Sequence, residues 1–213
     1  MVPEAIRIKF IKTGRLRYIS HLDLCRTVQS AMIRAKIPLW YTEGFNPHPK
    51  MVFTQPLPLF AESICEFLDI KIVEDMPLDE IKERLNSALA EELCVTEVYK
   101  PSEKFTEIAY AVYEIDGFEK ITPEMLEIAL AGAIEIEKRT KSGAMKTLDI
   151  RPMIRCASVQ NGKIVCELAA TGESYLNPDI FCRGLIGKLS LDADTDFSVT
   201  RIGWLKSDGK KFK

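Results

Sequence analysis

Hydrophobic and polar positions alternate along residues 5–19: Ile6, Ile8 and Phe10 fall on one face, Arg7 and Lys9 on the other. A period of two predicts a strand with a basic outward face, and the Thr13-Gly14 turn signal predicts a bend or hairpin that splits it. At Ser20 the period changes. Leu24, Val28, Ala31 and Ala35 recur at helical spacing, and Ser20 with Asp23 forms an S-x-x-D capping box. Pro38 ends that helix. Residues 39–42 are a short β-like run, and residues 43–50 hold two prolines around a histidine, which predicts a stiff loop. Residues 51–54 and 66–73 read as strands, 77–93 as an amphipathic helix with Leu78, Ile81, Leu85 and Leu89 as its stripe, and 95–99 as a strand.

The second half repeats the order without repeating the sequence. Residues 109–115 read as a strand, and Thr122-Pro123 opens a helix with Met125, Ile128, Ala129 and Ala133 facing inward. Residues 138–146 read as a basic loop. Residues 148–159 and 163–170 read as two strands joined at Gln160-Asn161-Gly162, a strong hairpin signal. A helix from Asn177 to about Leu189 and a strand over 197–205 complete it. Two β-α-β-β-α-β runs predict an α+β chain of two ferredoxin-like halves, with side-by-side sheets one arrangement open to them. The expected boundaries are 1–100 and 105–206, with 101–104 as linker and 207–213 as a disordered tail.

Composition changes this picture in one respect. The chain has 213 residues and net charge −2. Residues 1–60, however, hold nine Lys or Arg against three acids, so the rest carries −8. Such asymmetry marks either a localised face for phosphates or a solvated mixed surface. The six cysteines lack a C-x-x-C pair, so neither a zinc ribbon nor a thioredoxin-like motif is indicated. No signal-peptide pattern and no apolar run of membrane-spanning length is present, so a cytoplasmic location without membrane is expected.

Candidate chemistry concentrates between Lys12 and Leu59, which hold both histidines, His21 and His48. His21 in a first helical turn suits a general base or a phosphate donor, and the competing reading makes Asp23 only a cap and His21 a local hydrogen-bonding group. Arg15, Arg17, Arg26 and Lys50 are candidate phosphate contacts. Phe45, Asn46 and His48 lie on the stiff loop and suit stacked, unpaired bases. Lys141, Lys146 and Arg151 belong to a second basic run that offers another wall for an anionic strand. Glu62, Ser63 and Glu66 receive no role. No P-loop, dinucleotide fingerprint, nucleophile elbow or H-E-x-x-H is present, and no metal or cofactor is expected.

The run Gly14…Leu16-Arg17-Tyr18-Ile19-Ser20-His21-Leu22-Asp23-Leu24…Arg26, then Gly44-Phe45-Asn46-Pro47-His48-Pro49-Lys50, then Pro56-Leu57-Pro58-Leu59…Glu62-Ser63, resembles the radical-SAM-linked protein family, a bacterial family of unknown function. The likeness covers the first 100 residues closely and the rest loosely, through Asp149-Ile150-Arg151-Pro152. It implies a radical-SAM protein as partner. The chain lacks C-x-x-x-C-x-x-C, so the cluster would belong to that partner. Three readings stay open: an RNA-binding or substrate-presenting accessory protein, a metal-independent ribonuclease or RNA-modifying enzyme using His21 or His48, and a subunit that only contacts other proteins.

Overall fold

The computed structural model describes residues 3–139, 143 and 145–213, and divides into two compact units, Met1–Phe105 with Lys213, and Thr106–Phe212. Lys141 lies outside the described residues.

In the first unit β1 (Glu4–Lys12) is followed by a 3-10 turn (Gly14–Tyr18), α1 (His21–Arg34), β2 (Met51–Phe53), β3 (Glu62–Ile72), α2 (Leu78–Ala88) and β4 (Val95–Tyr99). The strands lie in the order β4-β1-β3-β2 with every pair antiparallel. This is the split βαβ arrangement that the order of elements implies. The bend falls at Thr13-Gly14 as the turn signal predicts, but the residues after it coil into the 3-10 turn instead of a strand. α1 buries Leu24, Val28 and Ala31, and also Met32, which the expected stripe omits. These pack on Ile6, Ile8 and Phe10 of β1 and on Leu68, Ile70 and Ile72 of β3. α2 is shorter than its sequence stripe. It stops at Ala88, and a separate 3-10 turn, Glu91–Leu93, carries Leu93 into the core.

The basic outward face of β1 is corrected at Arg7, which is 0% exposed. Its guanidinium donates from Nε and Nη2 to both carboxylate oxygens of Asp69, at 2.7 and 2.8 Å, and from Nη2 to the Glu103 carbonyl at 2.8 Å. It also lies 4.3 Å from the Phe105 ring centre and 5.9 Å from that of Phe67. The pairing register sets Arg7 opposite Asp69, so alternation supplies the partner that makes burial of a charge tolerable.

The second unit contains β5 (Ile108–Asp116), α3 (Pro123–Leu130), β6 (Glu135–Arg139), β7 (Met145–Asp149), β8 (Ile154–Gln160), β9 (Lys163–Ala169), α4 (Pro178–Lys188) and β10 (Ser198–Lys206). Its main sheet runs β10-β5-β9-β8, again antiparallel throughout. The Asn161-Gly162 turn has φ of 52° and 78°, the two positive values a tight hairpin turn requires. The single strand expected over 148–159 is broken. Residues Arg151–Met153 form a 3-10 turn around Pro152, so the piece before it leaves the sheet and pairs with β6. Of the basic loop expected over 138–146, residues 138–139 end β6 and 145–146 begin β7, with Lys138 paired opposite Lys146, while residues 140–142 and 144 lie outside the described residues. The last residues are ordered too: Phe212 is buried, its N–H donates to the Trp204 carbonyl at 2.9 Å, and Lys206 N–H donates to the Lys210 carbonyl. An aromatic ring near the end of a polar tail is what returns it to the core. No helix among the described residues is long and apolar enough to cross a membrane.

Candidate functional site

Local sequence builds one corner of the first unit. Ser20 caps α1: its Oγ accepts from Asp23 N–H at 3.1 Å, and its hydroxyl donates to the Asp23 carboxylate at 2.6 Å. The capping pair therefore closes through the hydroxyl, where the capping-box pattern expects the Asp23 carboxylate to reach the Ser20 N–H. In the turn before it, Arg17 Nε donates to the Gly14 carbonyl at 3.3 Å and its Nη2 lies 3.5 Å from Glu62 Oε1. The same carboxylate accepts from Gly14 N–H at 3.1 Å. The Arg17 guanidinium lies 5.7 Å from the Tyr18 ring centre, and Tyr18 meets Phe60 edge to face at 5.9 Å. Phe60 N–H donates to the Arg17 carbonyl at 2.9 Å, which ties the loop before β3 to the turn after β1. The two rings are 61% and 66% exposed, and Leu22 and Leu59 beside them in the chain are also more than half exposed. Arg15 is exposed on the same turn, and Arg26, exposed on α1, stands 3.7 Å from Asp23.

His21 sits between this corner and the core. Its ring meets Phe53 edge to face at 5.4 Å, and its Nε2 is 3.5 Å from the Cys25 thiol. Burial lowers its pKa from 6.5, and the nearby Glu66 carboxylate offsets part of that. Burial likewise raises the Cys25 thiol. Behind the histidine the apolar core ends in polar groups: Lys12, Ser63 and Glu66 are each at most 4% exposed. The register pairs Lys12 with Ser63 and Phe10 with Glu66. Both charged groups were readable as buried. Lys12 continues the phase of Ile6, Ile8 and Phe10, and Glu66 shares the phase of Leu68, Ile70 and Ile72.

The sign of the His21 shift gives a pH dependence. A folded pKa below the unfolded value means that the unfolded chain binds more protons between the two. Stability from this group is then present above about 6.5 and declines as pH falls from there through the folded value. NMR titration of the His21 ring is expected to give a midpoint below 6.5, and a midpoint at or above it contradicts the burial described.

The proline-bracketed loop is a closed hairpin-like excursion. Tyr41 bridges Pro49, Thr42 N–H donates to the His48 carbonyl at 2.9 Å, and Lys50 N–H donates to the Trp40 carbonyl at 3.2 Å. His48 is exposed, with its N–H and Nδ1 turned into the loop: its N–H donates to Thr42 Oγ1 at 3.2 Å, and Nδ1 lies 3.1 Å from that oxygen and 3.2 Å from the Asn46 carbonyl. Phe45 at the tip is fully exposed, and Asn46 and Lys50 are exposed with it. Among the described residues His21 and His48 have no hydrogen-bond or ring partner in common.

In the second unit Lys146 is exposed on β7. Arg151 is a brace: Nε donates to the Leu130 carbonyl and Nη1 to that of Ile154 at 2.9 Å, which fixes the break before β8. Among the described residues no group of three or more His, Cys, Asp or Glu is placed to hold a metal ion.

A family model described as an uncharacterized protein conserved in bacteria matches residues 5–178. No curated protein matches the chain.

Proposed function

Since the chain belongs to the bacterial DUF2344 family, we propose that it binds unpaired RNA at the corner formed by the 3-10 turn, the start of α1 and the loop before β3. In this reading it presents the RNA to a radical-SAM enzyme. The observation that carries the reading is the exposed Tyr18–Phe60 pair with Arg17 against it. Exposed rings beside guanidinium groups suit sequence-tolerant stacking of bases with phosphates held nearby. Arg15, Arg17 and Arg26 supply the charge. The Phe45 loop offers a further stacking ring, with Lys50 at its base. The radical-SAM partner rests on the likeness of residues 14–63 to proteins linked to such enzymes.

The test is the salt dependence of oligouridylate binding. Three cations on single-stranded RNA predict a logarithmic slope of about −2, or roughly a twentyfold loss of affinity between about 50 and 200 mM KCl. Binding that ignores salt, or no binding at about 50 mM, removes the reading.

A second reading, an RNA-cleaving or RNA-modifying enzyme, has one observation in its favour: a half-buried imidazole beside Glu66, with its pKa lowered toward the neutral, proton-accepting form. It expects purified protein to convert RNA, and His21→Ala to stop conversion while leaving affinity unchanged. RNA recovered both uncleaved and unmodified in mass after incubation rejects it.

A further inference from the structure

β6 and β7, five residues each, form a ribbon about 17 Å long that pairs with no other strand among the described residues. Alternation sorts its residues onto two faces. Ile134, Ile136 and Lys138 share one face with Ile150, Leu148 and Lys146 across the ladder. Burial fades along that face: Ile134 and Ile150 are 0% exposed, Ile136 and Leu148 are half-buried, and Lys146 is exposed. On the other face Glu135, Glu137, Met145, Thr147 and Asp149 are all exposed. A two-stranded ribbon is marginal without an apolar face to bury, so its outer half adds little to folding.

The charges are sorted as well. The root holds Glu135, Glu137 and Asp149, whereas residues 138–148 hold four Lys or Arg and no acid. The register sets Lys138 opposite Lys146 and Arg139 opposite Met145. Like charges directly opposite one another destabilise a ladder, and a ribbon shaped by stability alone would set an acid against a base there. An anion between the two lysines reverses the sign. The absence of rings decides which anion. Residues 134–150 hold no aromatic residue and no histidine, so this end has no platform for unpaired bases. Cations without rings suit the backbone of a double helix, which carries one charge per about 1.7 Å of its axis and so meets both lysines of a cross-strand pair about 5 Å apart.

We propose that the outer end of the β6–β7 ribbon, through Lys138, Arg139 and Lys146, holds the phosphate backbone of a paired stretch of RNA. That the helix is RNA rests on the RNA reading. The contact itself does not depend on the aromatic corner, because every group in it belongs to the second unit.

The full chain would be titrated, by fluorescence anisotropy, with a labelled blunt RNA duplex, with the DNA duplex of matching sequence and with oligouridylate. Lys146→Glu, at an exposed position, sets an acid opposite Lys138, so the melting temperature is expected to stay level or rise. The same variant is expected to weaken RNA-duplex binding about tenfold at about 50 mM KCl and to make its salt slope shallower by about 1. Its oligouridylate affinity is expected to stay as it was. Duplex binding that survives in a protein with no affinity for oligouridylate removes the corner and supports the ribbon. No duplex binding at about 50 mM KCl, an unchanged duplex affinity in Lys146→Glu, or an equal loss on oligouridylate overturns the proposal. A melting temperature lowered by the variant, DNA bound more tightly than RNA, or a polyglutamate peptide that displaces the duplex at equal charge overturns it too.

Discussion

Arg7→Ala is expected to destabilise the protein by about 3 kcal/mol, the lower end of what breaking a buried charge pair costs. The substitution removes two hydrogen bonds to Asp69 and one each to the Glu103 and Lys213 carbonyls, and it empties the space beside the Phe105 ring. Asp69 is then left with an unpaired carboxylate. Its side chain is 25% exposed, so partial hydration softens the loss and argues for the lower end. Arg7→Lys recovers little, because an ammonium cannot reproduce the two-pronged contact. Urea unfolding reads the effect: at an ordinary slope the midpoint falls by about 1–2 M. A fall below about 0.5 M would mean that the Asp69 carboxylate finds water or another donor at little cost.

The second large effect concerns binding. Tyr18→Ala combined with Phe60→Ala is expected to weaken oligouridylate affinity by about tenfold or more, since each stacked base is worth about 1–3 kcal/mol. The two rings touch, so the double variant should lose less than the sum of the singles. Both side chains are more than half exposed, so folding should be nearly unchanged, and a thermal melt checks that. Ile128→Ala serves as control, because that side chain is 70% exposed on α3. Equal losses in the control and the double variant would dissociate the rings from RNA.

Much of this structure is legible in the chain because it is local. The periods of two and 3.6, the Ser20 cap, and the paired positive φ at Asn161-Gly162 all depend on neighbours a few positions apart. What escaped depends on distant residues. Nothing near Arg7 announces that its partner lies 62 positions away. The strand read over 148–159 keeps a plausible alternation through Arg151; Pro152 marks the break locally, but the carbonyls of Leu130 and Ile154 that hold Arg151 there are supplied by the fold. Glu66 is the instructive omission. Its phase was visible, but a carboxylate does not look buried until that phase is followed back from Leu68 and Ile70 into the middle of the observed strand. The aromatic corner was half legible. Tyr18 and Arg17 belong to one local run, while Phe60, more than 40 positions on, joins them through its ring contact with Tyr18 and its backbone bond to the Arg17 carbonyl.

The inserted hairpin of the second unit is fastened at its root. Ile134 N–H donates to the Asp149 carboxylate, Ile150 N–H donates to the Ile134 carbonyl, and both isoleucines are 0% exposed. Gly184 on α4 makes room for them, since a methyl group there would come within 2.8 Å of Ile134 and 3.0 Å of Ile150. An anchorage of this kind makes the helix position a keystone: any side chain there would first have to push aside the two isoleucines at the foot of the arm.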